Sequence, residues 1–274
     1  MTKGRYVRMA TVFAPEVDTS DPQERFFANG PSAMSTLRSF LKKHFYLLMA
    51  LACVAFKVVS VLYNPHFIVG GGPNEGSYHP DGSRPLVLWI HNVVFFAWLL
   101  FFVFQSGLVN LQKPRSRRFF AGLGGALAAV LCVVGIATAI VKGRQDIANL
   151  MGDEAEAYQI IPFFKLFAFG VFAALAMRFR KNTELYLQFI FFAAAVILDT
   201  AFCRFDLIFR HHAFFPCVDL LIMIGVLRDL YIYRRVQKVY LIVLPALMLT
   251  QSFAYYTWSY SSAWWVRIAR AMIG

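Results

Sequence analysis

Long apolar runs separated by short polar links dominate the chain from residue 45 onward. A helix needs about 20 residues to cross a hydrocarbon core of roughly 30 Å. Seven runs meet or approach that length, and they cover residues 45–63, 85–110, 119–141, 160–177, 186–209, 214–233 and 239–258. Apolar residues do not alternate with polar ones as in a membrane β-strand, and backbone groups in lipid need partners within their own segment. The pattern therefore predicts an all-α polytopic transmembrane helix bundle of about seven spans.

The links between the runs predict an orientation, because short cytoplasmic links carry an excess of Lys and Arg. Basic residues cluster just before the first run and again in the links at 111–118, 178–181 and 234–238. The intervening segments at 64–84 and 142–159 are poorer in positive charge. This alternation predicts a cytoplasmic N-terminus and an extracytoplasmic C-terminus.

The two ends of the chain differ from the predicted bundle of residues 45–258. Within the cytoplasmic segment 1–44, the stretch STLRSFLKKHF, residues 35–45, places apolar and basic side chains on opposite faces. This predicts a helix that lies on the inner leaflet before the chain turns into the first span. Segment 259–274 is predicted to lie at the outer interface, where aromatic and basic side chains act as anchors. The proposed interfacial anchors are Trp258, Trp264, Trp265 and Arg267.

The third run has a face of small side chains that predicts close helix packing in lipid. These residues are Gly122, Gly124, Gly125, Ala128 and Ala129. We therefore expect this run to form the packed centre of the bundle.

Composition supports a membrane protein and excludes other classes. The chain is 59% hydrophobic and 15% charged, whereas a soluble domain carries roughly a quarter charged residues. Its net charge of +12 comes from clusters between apolar runs, with no basic face bearing interleaved aromatics, so nucleic acid is not an expected partner. The 29 Phe residues favour contact with lipid, pigment or other membrane subunits.

Charge is concentrated in the stretch CRFDLIFRHHAFFPCVD, residues 203–219, at the predicted outer ends of spans five and six. An ionisable group at the centre of a span costs about 2.5–3.5 kcal/mol, so such groups pair or line a cavity. We predict a polar cluster near the outer leaflet in which Arg204 pairs with Asp219 and His91 takes part. Its other members are Asp199 and Asp206. Lys57 and Lys165 are expected to extend their stems toward the interface.

Histidines give an alternative interpretation of the same region. Five of the six lie on the predicted outer side, namely His66, His79, His91, His211 and His212. Neutral imidazole is a ligand for haem iron, copper and zinc. His91 is the best single candidate because an imidazole inside a span needs a partner. No cofactor is the first expectation, and haem or a metal ion is the alternative.

Several pieces of the chain combine a His at the head of the second span with a Trp, a Gln and a later Asp. They are IHNVVFFAWLLFFVFQSGLV (90–109), FAGLGGALAAVLCVVGIATAIV (120–141), RFRKNTELYLQFIFFAAAVILDTAFCRF (178–205) and LRDLYIYRRVQKVYL (227–241). This pattern resembles an uncharacterised family of bacterial multi-pass membrane proteins, over about residues 85–265. That resemblance implies further His in the inner links. Here Arg115, Tyr186 and Gln237 stand at those positions.

Three functions remain after these observations. No GxSxG, HExxH or Walker motif occurs, and most of the family's His are replaced, which favours a non-enzymatic accessory or structural subunit of a membrane complex. A haem- or metal-binding redox protein using outer histidines is the second. A small transporter with Asp199 in its pathway is the third. The resemblance and the charge pattern place the protein in the bacterial inner membrane.

Overall fold

A computed structural model describes residues 33–63, 86–148 and 152–273. Every regular element within these ranges is a helix, and the helices from Phe40 onward belong to one compact unit. The helices are α1 Ala33–Tyr63, α2 Leu86–Asn110, α3 Pro114–Ala148, α4 Gly152–Tyr158, α5 Ile160–Arg178, α6 Thr183–Ile197, α7 Asp199–Phe202, α8 Asp206–Arg210, α9 Phe214–Tyr233, α10 Lys238–Ser259 and α11 Ala263–Ile273. The predicted all-α class is confirmed for these ranges.

Six helical segments in the described part of the chain are long and apolar enough to cross a membrane. They are Met34–Tyr63, Leu86–Asn110, Pro114–Asp146, Ala155–Arg178, Thr183–Phe202 and Lys238–Ser259. The remaining predicted run, 214–233, does form a helix, α9, but it is not among the six. It carries three charged side chains, Asp219, Arg228 and Asp229.

The packed centre of the bundle is α6, so the prediction that the third run would form it is wrong. Every residue of α6 from Tyr186 to Ile197 is buried. A helix with apolar side chains on nearly all of its faces is expected in the interior of a bundle. Consistent with this, α6 contacts α2, α5 and α9. By contrast, α3 packs one face against α2 and α5 and leaves Gly122 and Ala129 exposed.

The predicted single run at 186–209 is divided into three helices. The first break lies at Leu198, between the end of α6 and the start of α7. At this point the Asp199 carboxylate accepts a hydrogen bond from the N–H of Thr200, and the Thr200 hydroxyl donates to the carbonyl of Ile197 over 3.0 Å. Side chains that bond to nearby backbone groups compete with the helical ladder, which explains the interruption.

The helix α1 runs without interruption from Ala33 to Tyr63. The predicted turn between an interfacial helix at 35–45 and a first span is therefore absent. No Gly or Pro occurs within α1, and its straight-chain residues favour a continuous helix.

Contacts between helix termini define two ends of the bundle. At the basic end, the Arg117 guanidinium of α3 donates to the carbonyl of Arg180 over 3.1 Å, which joins two of the positively charged links. At the opposite end, the ring of Tyr158 lies 5.3 Å from that of Trp258. The links at 111–118 and 178–181, which were predicted to share a side, therefore lie together.

Candidate functional site

A polar cluster at the basic end is built around Arg228 of α9, which is 4% exposed. Its guanidinium donates to the carboxylate of Glu184, at the start of α6, and to that of Asp229 over 3.2 Å. The same guanidinium lies 5.1 Å from the ring centre of Phe45 and 5.2 Å from that of Tyr46, both on α1. Such cation–π contacts add to the ion pairs because the site is desolvated.

Neutral side chains extend this cluster to α10. The Gln188 amide donates to the Gln237 side-chain oxygen over 2.8 Å, and the Gln237 backbone N–H donates to Asp229 over 3.4 Å. The Tyr46 hydroxyl donates to Glu184 over 3.0 Å. The cluster thus ties α1, α6, α9 and the start of α10 together, with one guanidinium shared between two carboxylates. This arrangement is suited to holding helices in register.

Sequence reasoning did not single out this cluster. Its signals were the adjacent Arg228 and Asp229 inside an apolar run and the carboxylate of Glu184 beside another. Their pairing depends on helix rotation, because Glu184 and Arg228 are 44 residues apart. Gln237 belongs to this cluster at one of the positions where the family resemblance implies His.

A second polar cluster lies toward the opposite end. The Lys165 ammonium of α5 donates to the Asp199 carboxylate over 2.9 Å, and both residues are buried. The expectation that Lys165 extends toward the interface is therefore wrong. A buried carboxylate on the neighbouring helix is a stronger partner than distant water, because charge–charge attraction grows in a medium of low polarity.

Lys57 and His91 lie near this ion pair, and Arg204 lies near Lys57. The charged groups acting on Lys57 of α1 are Arg204, Lys165 and Asp199, while those acting on His91 of α2 are Lys165 and Lys57. We call the five residues Lys57, His91, Lys165, Asp199 and Arg204 the lysine cluster. It contains three cations and one carboxylate, and that carboxylate is bonded to Lys165.

The structure distributes the predicted polar cluster over separate places. Asp199 and the buried Arg204 belong to the lysine cluster. Asp206 instead pairs with Arg210 one turn along α8, over 2.9 Å and largely in the open. Asp219 lies against Gln251 of α10, and no ion pair of Asp219 occurs among the described residues. The polar residues of 203–219 therefore lie in three separate places: the lysine cluster, the exposed ion pair of α8 and the contact between α9 and α10.

The histidines are equally dispersed. His91 stacks on Phe95 with ring centres 4.0 Å apart, and its Nδ1 atom is buried without a hydrogen bond. His212 turns the chain with a positive φ of 51° and packs edge-on against Trp258, at 5.0 Å. His211 is exposed, whereas His66 and His79 lie outside the described residues. Within the described ranges, no three His, Cys, Asp or Glu side chains are grouped to hold a metal ion.

The predicted interfacial anchors lie on and beside α11. Trp265 is buried with its ring 6.2 Å from that of Phe163, whereas Trp264 is 45% exposed. Trp258 packs in the bundle, and Arg267 is exposed. The Arg270 guanidinium of α11 also pairs with Glu156 over 2.7 Å. The C-terminal helix is thus docked against the opposite end of the bundle.

Comparison of the chain with protein-family profiles, with curated proteins and with solved structures finds no match. The resemblance to a bacterial membrane family therefore stays a prediction.

Proposed function

We propose that this chain is a non-enzymatic integral membrane protein that acts as an accessory or structural subunit of a larger complex in the bacterial inner membrane. The proposal includes seven spans, with α9 as the additional one, a cytoplasmic N-terminus and an extracytoplasmic C-terminus. The observation that carries it is the distribution of small residues around α3.

The buried face of α3 illustrates how small residues admit a neighbouring helix. A Cβ atom added at Gly124 would lie 2.1 Å from the Phe101 ring of α2, and one at Gly135 would lie 2.3 Å from Leu166 of α5. Both distances are far inside van der Waals contact. The neighbours can approach α3 only because these side chains are absent.

The other face of α3 has the same kind of residues, but no helix from the described part of the chain lies against it. Gly122, Ala126 and Ala129 are exposed, and a Cβ atom at Gly122 would meet nothing within 4 Å. Small residues spaced four apart are typical of helix–helix interfaces in lipid, where backbones approach closely. This exposed small face supports docking of a transmembrane helix from another subunit.

The basic-end cluster supports a structural role in a different way. Its charges pair with each other, with Arg228 and Asp229 buried and Glu184 partly exposed, and Arg228 is enclosed by aromatic rings from α1 and α9. The contacts of Arg228 stabilise one relative position of the helices that supply its partners.

The test is native electrophoresis of gently solubilised membranes, comparing the wild type with Gly122→Leu/Ala126→Leu. We expect the wild type to migrate well above its 31.2 kDa plus detergent, and the double variant to lose this assembly. Ala246→Leu is a matched control, because Ala246 is exposed on another candidate span, α10. A stable lone monomer in the wild type, or equal assembly of all three chains, would contradict the proposal.

A second function, a small transporter, is favoured by the buried carboxylate of Asp199 within a candidate span. Ionisable groups inside spans mark ion and proton pathways in many membrane proteins. The test is proton uptake into vesicles containing the wild type or Asp199→Asn. Loss of uptake in the variant, with normal folding, would support transport. Equal uptake by protein-free vesicles would exclude it.

A further inference from the structure

An apolar groove of about 440 Å³ lies between α1 and α2. Its walls are almost entirely hydrocarbon, including Val58 of α1 and Val93 and Phe96 of α2. Lys57 and Asn92 are its polar lining residues. Because α1 and α2 are both candidate membrane spans, this groove faces the lipid rather than water.

The length of the groove matches one leaflet. Along α2 it extends from Trp89 to Leu100, which corresponds to about 16 Å at 1.5 Å per residue. Half of a hydrocarbon core of roughly 30 Å is about the same distance. An acyl chain from the leaflet at the opposite end can therefore lie along the groove without bending out of it.

The charge at the groove wall favours an anion. Among the charged groups near Lys57, Arg204 and Lys165 repel its ammonium, and the Asp199 carboxylate is already bonded to Lys165. No ion pair of Lys57 occurs within the described residues. A positive charge in a span needs a counter-charge or a route to water.

The depth of Lys57 also suits a lipid headgroup. It precedes Tyr63, the last residue of α1, by about 9 Å along the helix axis. A lysine stem can carry its ammonium over much of that distance toward the interface. Phosphate oxygens at the base of a headgroup are within reach from there.

We propose that the groove between α1 and α2 binds one anionic phospholipid, with its phosphate at Lys57 and one acyl chain along the apolar walls. This inference is independent of the assembly proposed above, because the groove lies on α1 and α2 and the exposed small face lies on α3. A zwitterionic phospholipid has a phosphate too, but its own cation competes with Lys57. A fatty acid lacks the phosphate.

The experiment reconstitutes the full chain in vesicles of phosphatidylglycerol and phosphatidylcholine, then extracts it in mild detergent and measures retained lipids by native mass spectrometry. We expect one phosphatidylglycerol to be retained per chain. In Lys57→Gln the apparent affinity should fall roughly 10- to 100-fold, as expected for the loss of one charge-assisted hydrogen bond. Val93→Trp, at a position that is 66% exposed, should reduce retention by filling the groove while leaving Lys57 in place.

Lys238→Gln is the charge-matched control, because Lys238 is exposed at the start of α10 and away from the groove. It should retain phosphatidylglycerol as the wild type does. Equal loss in Lys57→Gln and Lys238→Gln would show attraction by surface charge alone and overturn the proposal. So would equal retention of the two lipids, a bound fatty acid in place of the phospholipid, or unchanged retention in Val93→Trp.

Discussion

Removal of the Lys165 ammonium is the sharpest test of how the bundle handles buried charge. The side chains of Lys165 and Asp199 are 10% and 3% exposed and meet at 2.9 Å, so water does little to screen either. Breaking a buried ion pair by removing one partner costs about 3–5 kcal/mol, because the other charge is left uncompensated. Lys57 lies close enough to act on Asp199, so we expect Lys165→Met to cost about 3 kcal/mol, at the low end of that range.

The assay is reversible unfolding in mixed micelles, followed by circular dichroism as a denaturing detergent is added. The double variant Lys165→Met/Asp199→Leu should recover most of the lost stability, because two apolar side chains replace both charges. Arg210→Met provides the control. Its ion pair with Asp206 has side chains 72% and 47% exposed, and such pairs contribute at most about 1 kcal/mol.

A loss below about 1 kcal/mol in Lys165→Met would refute the reasoning, because it would place the pair among solvent-screened surface contacts. A double variant no more stable than the single one would refute it as well. In that case the loss would come from packing of the lysine stem rather than from charge.

Three further outcomes are expected. Gly225→Ala should destabilise the protein by about 1–3 kcal/mol in the same unfolding assay, because its Cβ would lie 2.2 Å from a Tyr hydroxyl of α10. Gly107→Ala is the control and should not destabilise the protein, because its Cβ would have no neighbour within 4 Å. Tyr46→Phe should cost about 1.5 kcal/mol in that assay, because it removes a hydrogen bond to a carboxylate of α6 that is partly exposed. An unchanged midpoint would argue against that bond. The orientation can be tested in a chain whose four native Cys are replaced by Ala. An impermeant maleimide should label Ser259→Cys in intact cells and Lys113→Cys only after permeabilisation. The reverse pattern would invert the proposed orientation.

Helix existence and bounds were the part of the fold most accessible from the sequence. The predicted run 214–233 coincides with α9, and the run 85–110 differs from α2 by one residue. Such runs are read directly from composition, since any long helix in lipid must be apolar. The break at Leu198 was missed because it depends on local hydrogen bonds of Asp199 and Thr200. These bonds do not change the mean hydropathy of the run.

Rotation of the helices was the part that the sequence did not contain. Small residues of α3 occur on both its buried and exposed faces, so they indicated close packing without saying on which side. The sequence shows which residues are charged but not which of them pair, and Lys165 and Asp199 are 34 residues apart. Because each helix can turn about its axis at little local cost, only the assembled neighbours determine which partners meet.

The enclosure of α6 has a consequence for how the protein is made. Its partners include residues of α10, such as Tyr240, whose ring lies 5.3 Å from that of Phe192. Residues 198–259 are synthesised after α6, and their synthesis takes about 3–12 s at 5–20 residues per second. During this interval one side of α6 is not yet covered by α10 and is in contact with lipid. Residues 189–197 are all apolar, so this contact with hydrocarbon is not unfavourable for any of their side chains.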